Sequence, residues 1–169
     1  MKKYEIGLYE KAMRNTLTWK EKLQCAKECG YDYLEISIDA TEEKINRIYM
    51  DTEEKREIME AIFDTGIPIG SMSVSALTKY ALGDPDQAVR DRGMEIAEKS
   101  IQLSSALGVR TVMIPGYDIY YGESTIETKR YFLENIRKIA EIAEREGILV
   151  GFETMENNFM NTTGKAVQY

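Results

Sequence analysis

Short apolar runs alternate along the chain with longer stretches in which apolar residues recur every three or four positions. Four of the short runs directly follow a glycine that closes a polar stretch with helical periodicity. Because glycine readily adopts the left-handed conformation that ends helices, each unit predicts a helix, a glycine cap and a strand. The four glycines, spaced 36 to 42 residues apart as strand–helix units are, are Gly30, Gly66, Gly108 and Gly147.

A further apolar run at residues 4–8 predicts a first strand, which brings the number of strands to five, each followed by a helical segment. Strands that alternate with helices are typical of a mainly parallel sheet with an α/β fold. Several helix starts carry a cap oxygen three residues before a Glu, at Thr18, Asp51 and Ser124, and Pro85 follows Asp84 at another start. The predicted helices cover 19–29, 52–65, 85–107 and 125–146, and a fifth begins within 161–166.

Two architectures contain five such units. An open, doubly wound sheet of the flavodoxin type is complete with five strands, and 169 residues suffice for it. A (β/α)₈ barrel repeats the same unit eight times and needs about 250 residues. Length alone therefore favours the open sheet. Individual residues must decide whether the chain is instead part of a barrel.

Composition narrows the range of functions. The chain carries 22 Lys and Arg against 29 Asp and Glu, for a net charge of −7, and has no basic run that could follow a phosphate backbone, so we expect no nucleic-acid partner. No apolar stretch is long enough to cross a bilayer, so we expect no membrane partner and a cytoplasmic location. The two cysteines, Cys25 and Cys29, are expected to be reduced and structural. The absence of histidine excludes Ser-His, Cys-His and His-ligated mechanisms carried by this chain alone.

Candidate functional residues lie where the predicted strands end, because ligands of parallel α/β sheets bind outside the carboxyl ends of the strands. Neither glycine-rich nucleotide-binding motif, G-x-G-x-x-G or G-x-x-x-x-G-K, occurs. Glu153 interrupts the last apolar run, and a carboxylate there needs a cation or a hydrogen-bond donor, although a solvated strand end would also explain it. Glu35 has the same position on the second strand and could equally be a structural acid paired with a Lys or Arg.

Aromatic and basic residues near the strand ends add further candidates. Tyr9, Tyr117, Tyr120 and Tyr121 could wall a small pocket, although packing would explain each of them in a chain with 11 tyrosines. Lys11 and Lys79 are candidate phosphate partners, although exposed lysines in loops are common.

Five segments carry a combined signature, namely IGLYEKA at 6–12, YLEISID at 33–39, SMSVSA at 71–76, PGYDIYY at 115–121 and ETMENNFMN at 153–161. Together they resemble one family, the L-ribulose/L-xylulose-5-phosphate 3-epimerases, also called hexulose-6-phosphate isomerases, of the xylose-isomerase-like TIM barrel superfamily. The resemblance extends from about residue 4 to the last residue. The resemblance implies that residues 1–169 are the N-terminal five βα units of an eight-stranded barrel, a truncated or incomplete barrel.

The resemblance also implies a divalent metal ion, Mn²⁺, Mg²⁺, Zn²⁺ or Co²⁺, bound by a Glu on the fifth strand and by an Asp, a His and a second Glu from later strands. Glu153 matches the first ligand and is the implied catalytic residue. The other three ligands would lie beyond residue 169. Where the family often carries a histidine and arginines after the third strand, this chain has residues 77–79, Leu-Thr-Lys. The implied substrate-binding residues are Tyr9, Glu35, Ser73, Tyr117 and Asn161.

The implied reaction is the epimerisation of a small phosphorylated ketose, L-xylulose 5-phosphate to L-ribulose 5-phosphate, through an enediolate formed by removal of the C3 proton. A base and an acid on opposite faces of the sugar are required, and only Glu153 of that pair is present. This chain alone is therefore expected to be inactive, without a complete metal site and with no metal bound. Two unpaired edge strands also predict a homo-oligomer.

Two other readings stay open at this stage. A non-catalytic, five-stranded, flavodoxin-like binding domain would be a stable monomer without affinity for divalent metals. A DNA-repair endonuclease of the same barrel superfamily is disfavoured by the charge of −7 and by the missing histidine ligands.

Overall fold

The computed structural model describes residues 4–169 and contains one parallel sheet of five strands. Each strand pairs with the next one along the chain, so that the spatial order is β1-β2-β3-β4-β5. The strands are β1 Gly7–Tyr9, β2 Tyr33–Ser37, β3 Ile69–Ser73, β4 Thr111–Pro115 and β5 Leu149–Glu153. The helices are α1 Trp19–Glu28, α2 Glu42–Asn46, α3 Thr52–Thr65, α4 Gln87–Ala106, α5 Ile126–Glu146 and α6 Thr163–Ala166.

The strand order decides between the two architectures that the sequence left open. A flavodoxin-like sheet places its strands in the order 2-1-3-4-5, because the chain reverses direction across the sheet after the first unit. The observed sheet never reverses, and consecutive order is that of the wall of a (β/α)₈ barrel. The prediction of five units of a (β/α)₈ barrel is therefore confirmed. The alternative prediction, a flavodoxin-like fold, is wrong.

Local signals placed most helices correctly. The four glycines that follow predicted helices all have positive φ, from 66° to 80°. Thr18 caps α1 and Asp51 caps α3, and in both cases the Glu three residues later completes a capping box. The predicted beginning of a helix within 161–166 is also present as α6, which Thr162 caps.

Several boundaries differ from the prediction, and three of them are the starts of β1, α4 and α5. β1 begins at Gly7 rather than at residue 4. α4 begins at Gln87, after the cap Asp86, so that Pro85 lies before the helix rather than in its first turn. α5 is capped by Thr125, whose partner is Thr128, instead of Ser124 with Glu127. In the two helices a neighbouring polar residue takes the role of the cap, since the Asp86 side chain accepts from the Ala88 amide and the Thr125 side chain from the Thr128 amide.

The two faces of the sheet differ in polarity. Side chains alternate along each strand, and those that face the helices form the main core together with apolar helix residues. Leu34, Ile36, Met72, Val112 and Ile114 on this face are at most 1% exposed. The opposite face, which is the inner face of a barrel wall, carries polar and aromatic side chains. The site is therefore to be sought on the inner face.

Two smaller findings concern the helices. The thiols of Cys25 and Cys29 in and after α1 are unbridged. Within residues 4–169, none of the helices combines the length and the apolar composition that a membrane crossing requires.

Candidate functional site

A cavity of about 590 Å³ opens along the inner face of the sheet. Every strand contributes to its lining, because alternate residues of all five strands point to this face. At one end the cavity is lined by Glu5 and Pro68, which precede β1 and β3. At the other end it is lined by Ser75, which follows β3, and by Glu153, the last residue of β5. Its other lining residues are Tyr9, Tyr33, Glu35, Gly70, Ser71, Ser73, Thr111 and Met113.

Glu153 is the last residue of β5, and its side chain lines the cavity in an exposed position. Its backbone is held firmly, since its carbonyl oxygen accepts a hydrogen bond of 3.0 Å from the Gly116 amide. A β-carbon on Gly116 would lie 2.7 Å from that carbonyl oxygen, so the close approach requires glycine. The candidate carboxylate thus projects from a fixed strand end into accessible space.

Glu35 lies on the inner face of β2, half-buried, and accepts a hydrogen bond of 2.5 Å from the buried Ser71 hydroxyl. The alternative from the sequence, a structural acid paired with a Lys or Arg, does not describe this residue, because its hydrogen-bond partner is a hydroxyl. Glu35 therefore gives the cavity a second carboxylate that is orientated without being neutralised.

Tyr9 and Ser73, two further predicted site residues, also line this cavity. The Tyr9 hydroxyl lies 3.4 Å from the Ser37 hydroxyl, which joins the ends of β1 and β2. Tyr33 entered the sequence analysis only as the first residue of the segment at 33–39, without a role, and in the structure its ring covers Gly7 on β1 and Gly70 on β3. A β-carbon at Gly7 or Gly70 would lie within 2.5 Å of that ring, so the two glycines make room for it.

Tyr117 and Asn161, the remaining predicted contacts, lie outside the lining of this cavity. Tyr117 is buried and donates a hydrogen bond of 2.8 Å to Glu156; burial, and then the nearby Glu156 carboxylate, raise the pKa of this phenol. It lines a separate cavity of about 240 Å³ between the loops that follow β4 and β5. Asn161 is exposed, and its side-chain oxygen accepts a hydrogen bond of 2.8 Å from Lys165.

A buried ionic cluster that sequence reasoning missed lies at the carboxyl ends of β1 and β2. Glu10 is 1% exposed and accepts hydrogen bonds from three cations at 2.6 Å, namely Lys22 on α1, Lys44 on α2 and Arg47 beyond α2. Arg47 donates a second bond of 2.8 Å, and the Ser37 amide donates a further one of 3.0 Å. The cluster thereby ties the end of β2 to the short 3₁₀ segment that follows β1.

The charges of this cluster keep Glu10 ionised. Burial by itself raises the pKa of the Glu10 carboxyl, but the hydrogen bonds and charges of Arg47, Lys22 and Lys44 outweigh burial and hold that pKa well below its ordinary value. The Trp19 ring lies 4.8 Å from both the Lys22 ammonium and the Arg47 guanidinium and adds a cation–π contact to each.

Lys11 lies next to this cluster, at the edge of the large cavity. Its ammonium pairs with Asp39 and donates a hydrogen bond of 3.1 Å to the Ser75 hydroxyl, which lines the cavity. Lys79, the other lysine that the sequence suggested, is exposed and stacks on the ring of Tyr80. Only Lys11 of this pair is therefore near the candidate site.

The fit of a divalent metal ion can be tested against the donors present. Within residues 4–169, no three His, Cys, Asp or Glu side chains come together in a group that could hold a metal ion. Glu153 and Glu35 line the same cavity, but two carboxylates are fewer than the ligands that a divalent ion takes from a protein. The described residues therefore do not form a metal site by themselves.

Comparisons with known proteins agree with this geometry. A family model described as xylose isomerase-like TIM barrel matches residues 23–169. The L-ribulose-5-phosphate 3-epimerase UlaE of Escherichia coli O157:H7 is 38% identical to this chain over 168 residues, which are 99% of this chain and 59% of that protein. The protein of the same name from Shigella boydii serotype 18 is 37% identical over the same shares. The chain thus spans about three-fifths of the length of these relatives.

Solved structures show the same fold at low sequence identity. A D-psicose 3-epimerase from Clostridium cellulolyticum H10, solved with D-tagatose, superposes with a TM-score of 0.79 at 18% identity. The superposition covers 98% of this chain and 58% of the epimerase chain. A xylose isomerase-like TIM barrel protein from Mycobacterium smegmatis, solved in complex with magnesium, superposes with a TM-score of 0.73 at 15% identity. This superposition covers 98% of this chain and 60% of the Mycobacterium chain. Five consecutive parallel units of this chain thus have counterparts in both structures.

Proposed function

This chain belongs to the xylose isomerase-like TIM barrel family, and from that premise we propose that the protein is a sugar-phosphate isomerase that epimerises C3 of a ketopentose 5-phosphate. The observation that carries the proposal is the 38% identity to L-ribulose-5-phosphate 3-epimerases over 99% of the chain. The reaction proposed here is the interconversion of L-xylulose 5-phosphate and L-ribulose 5-phosphate.

The proposed reaction requires a base beside C3 of the sugar. The C3 proton is acidified by the neighbouring C2 ketone, and the Glu153 carboxylate takes it while the electron pair of the C–H bond moves towards the C2 oxygen. The resulting enediolate regains a proton at C3 from the opposite face, which inverts that carbon. An acid outside residues 4–169 supplies the second proton in this proposal. The exposed position of Glu153 in the cavity supports its role, because a base must reach the substrate.

Recognition of the sugar would use the polar inner face. Tyr9, Glu35 and Ser73 line the cavity with Glu153 and offer two hydroxyls and a second carboxylate to the hydroxyl groups of a ketose. Tyr117 and Asn161 stay predicted contacts and follow β4 and β5 at the same end of the sheet. A divalent ion with Glu153 among its ligands belongs to the proposal for the complete protein, with the remaining ligands supplied from outside residues 4–169.

An epimerisation assay in deuterated water tests this function. The complete wild-type protein, including the part that supplies the acid outside residues 4–169, is expected to form L-ribulose 5-phosphate from L-xylulose 5-phosphate and to introduce solvent deuterium at C3, both observable by NMR. Glu153→Gln is expected to lower both rates at least about 100-fold, as loss of a general base does. Absence of product and of C3 deuterium with the wild-type protein, tested with and without added Mn²⁺, contradicts the proposal.

Glu156→Gln is the matched control for this substitution. Glu156 lies three residues further along the same segment, accepts a hydrogen bond from Tyr117 and lines the smaller cavity instead of the large one. The Glu156→Gln variant is expected to retain activity. An equal loss of activity in both variants would indicate damage to the loop rather than removal of a base.

The assembly of the protein is a separate part of the proposal. β1 and β5 are the outer strands of the sheet in the described residues, and each has one edge without a strand partner. Such edges favour association of the 169-residue polypeptide by itself, which is the homo-oligomer expected from the sequence, whereas the further strands of a complete barrel would pair with both edges. Light scattering at low micromolar concentration tests it, and a monodisperse monomer contradicts it.

A further inference from the structure

A cavity of about 280 Å³ lies among the helices and shares no lining residue with the large cavity on the inner face of the sheet. Its lining comes from the segment that follows α2, from the first turn of α3 and from the second half of α4. The buried part of this lining is apolar, since Ile48 and Leu103 are 6% and 2% exposed and belong to the main core. We call it the helix cavity.

Two lysines, Lys55 on α3 and Lys99 on α4, line the helix cavity, and both are half-buried. Eight of the lysines at residues 4–169 have side chains that contact an acceptor or an aromatic ring. Within that part of the chain, only the side chains of Lys55, Lys99 and Lys129 have no hydrogen bond, ion pair or ring contact. Two of these three lysines thus share one cavity, and none of its described lining residues is an acid.

The acids nearest to these lysines along the helices already have other partners. Glu95 lies one turn before Lys99, whose charge also acts on it. One oxygen of Glu95 accepts a hydrogen bond of 2.5 Å from the Tyr49 hydroxyl, and the other accepts one of 2.6 Å from Arg92. Asp51, one turn before the lysine on α3, accepts from a backbone amide as the cap of that helix. The positive charge in the helix cavity is therefore left without a paired anion from the described residues.

An anion in the helix cavity would relieve an unfavourable arrangement of charges. Two ammonium groups on different helices repel each other, and apolar surroundings reduce the screening of that repulsion. An anion placed between them replaces the repulsion by two attractions. Gln102 on α4 adds a neutral donor to the lining, since one N–H of its amide group binds Glu98 at 3.3 Å and the other has no partner among the described residues.

We infer that Lys55, Lys99 and Gln102 bind a small oxyanion with the chemistry of a phosphate group in the helix cavity, where the anion bridges α3 and α4. Lysine binds phosphate as a point charge through charge-assisted hydrogen bonds. The volume of about 280 Å³ lies just below the range of about 300–1,000 Å³ of pockets for larger ligands, which suits a phosphate ion or a small phosphate ester. The inference uses no residue of the proposed active site and is independent of the proposed function.

Acetylation of the complete protein by N-hydroxysuccinimide acetate, followed by peptide mass spectrometry, tests the inference at each lysine. Only the neutral amine reacts, and a bound anion both covers the amine and favours its charged form. With rising inorganic phosphate at constant ionic strength, acetylation of Lys55 and Lys99 is expected to slow along one saturation curve. The rates fall about tenfold at ten times the midpoint concentration, because only unoccupied sites react. Methyl phosphate is the second probe: protection by both anions means that the site accepts phosphate esters, and protection by inorganic phosphate alone assigns the free ion.

Lys129 is the matched control, because it is also half-buried and without a side-chain partner in residues 4–169 but lies on α5 outside the lining of the helix cavity. Its acetylation is expected to be unaffected by phosphate. Lys99→Gln is expected to raise the phosphate concentration that protects Lys55 at least about tenfold, because a charge-assisted contact is lost, whereas Lys129→Gln leaves it unchanged. Equal slowing of all three lysines, slowing of none, or an unchanged midpoint for Lys55 in Lys99→Gln overturns the inference.

Discussion

The amide of Gly116 donates a hydrogen bond to the carbonyl oxygen of Glu153 at 3.0 Å, and this contact fixes the end of β5 against the end of β4. A β-carbon on Gly116 would lie 2.7 Å from that carbonyl oxygen and 2.8 Å from the sulfur in the Met160 side chain, so there is no room for one. The position of the candidate base thus depends on a residue that has no side chain.

Gly116→Ala is expected to lower the free energy of unfolding by about 1–3 kcal/mol, as other insertions into packed sites do, because backbone atoms must move to admit the methyl group. Urea unfolding followed by circular dichroism measures the effect. Gly164→Ala is the control, since the nearest atom to a β-carbon there is 4.0 Å away and the position lies in α6. An unchanged stability of Gly116→Ala would contradict the argument.

Glu10→Gln is expected to destabilise the protein by about 3–5 kcal/mol, because three cations that are at most 11% exposed lose the anion that they share. Chemical unfolding at pH 7 measures this difference. Glu134→Gln is the control, because its exposed pair with Arg130 contributes little. Similar, small effects for both variants would show that the buried cluster is not a source of stability.

The same cluster makes an expected contribution to the pH dependence of stability. Because the pKa of Glu10 is lowered by folding, the stabilisation is complete above the pKa of the unfolded glutamate, about 4.3, and is lost as the pH falls towards the folded value. The difference in unfolding free energy between wild-type protein and Glu10→Gln should therefore be constant between about pH 5.5 and 7 and shrink below about pH 4. A difference that grows on acidification would contradict the assignment.

Ser100→Ala is expected to leave stability unchanged or to raise it by up to about 1 kcal/mol. The Ser100 hydroxyl on α4 is 0% exposed and has no hydrogen-bond partner among the described residues, so its removal ends an uncompensated desolvation cost. Alanine also favours the helix. Ser104→Ala is the comparison, because that hydroxyl contacts the Met72 sulfur at 3.3 Å. Thermal unfolding ranks the variants, and a marked loss in Ser100→Ala would reveal a missed partner.

Thr18→Ala is expected to cost about 1 kcal/mol, because it removes the side-chain oxygen that accepts from the Glu21 amide and opens the capping box of α1. Thr18→Ser keeps that oxygen and should retain most of the stability. Urea unfolding of the three proteins measures the difference. If alanine and serine behave alike, the cap contributes no measurable stability.

The sequence predicted part of the candidate site for a simple geometric reason. Tyr9, Glu35, Ser73 and Glu153 lie on different strands, but parallel strands present alternate residues to one face and end at one edge. The structure brings all four to one cavity. Their roles in binding and catalysis stay predictions, as do those of Tyr117 and Asn161.

The ionic cluster could not be predicted in the same way. Glu10 lies between a tyrosine and a lysine in what resembles an ordinary polar loop, and its cationic partners are 12, 34 and 37 residues away. No periodicity links such positions, because the contacts are made by four segments that meet only after the sheet has formed. Tyr33 over Gly7 and Gly70 is a second case, since the need for two glycines arises on neighbouring strands.

The number of strands and the type and order of the strands and longer helices were determined by the sequence itself, because capping residues, glycine caps and apolar periodicity act over a few residues. The short helix α2 was not predicted. Which strands are neighbours was decided only by the tertiary structure, since five βα units serve a barrel wall and an open sheet equally well. The consecutive order β1 to β5 settled the fold and turned the polar face inwards as the wall of a cavity. Strand pairing and burial are long-range interactions, and local signals do not specify them.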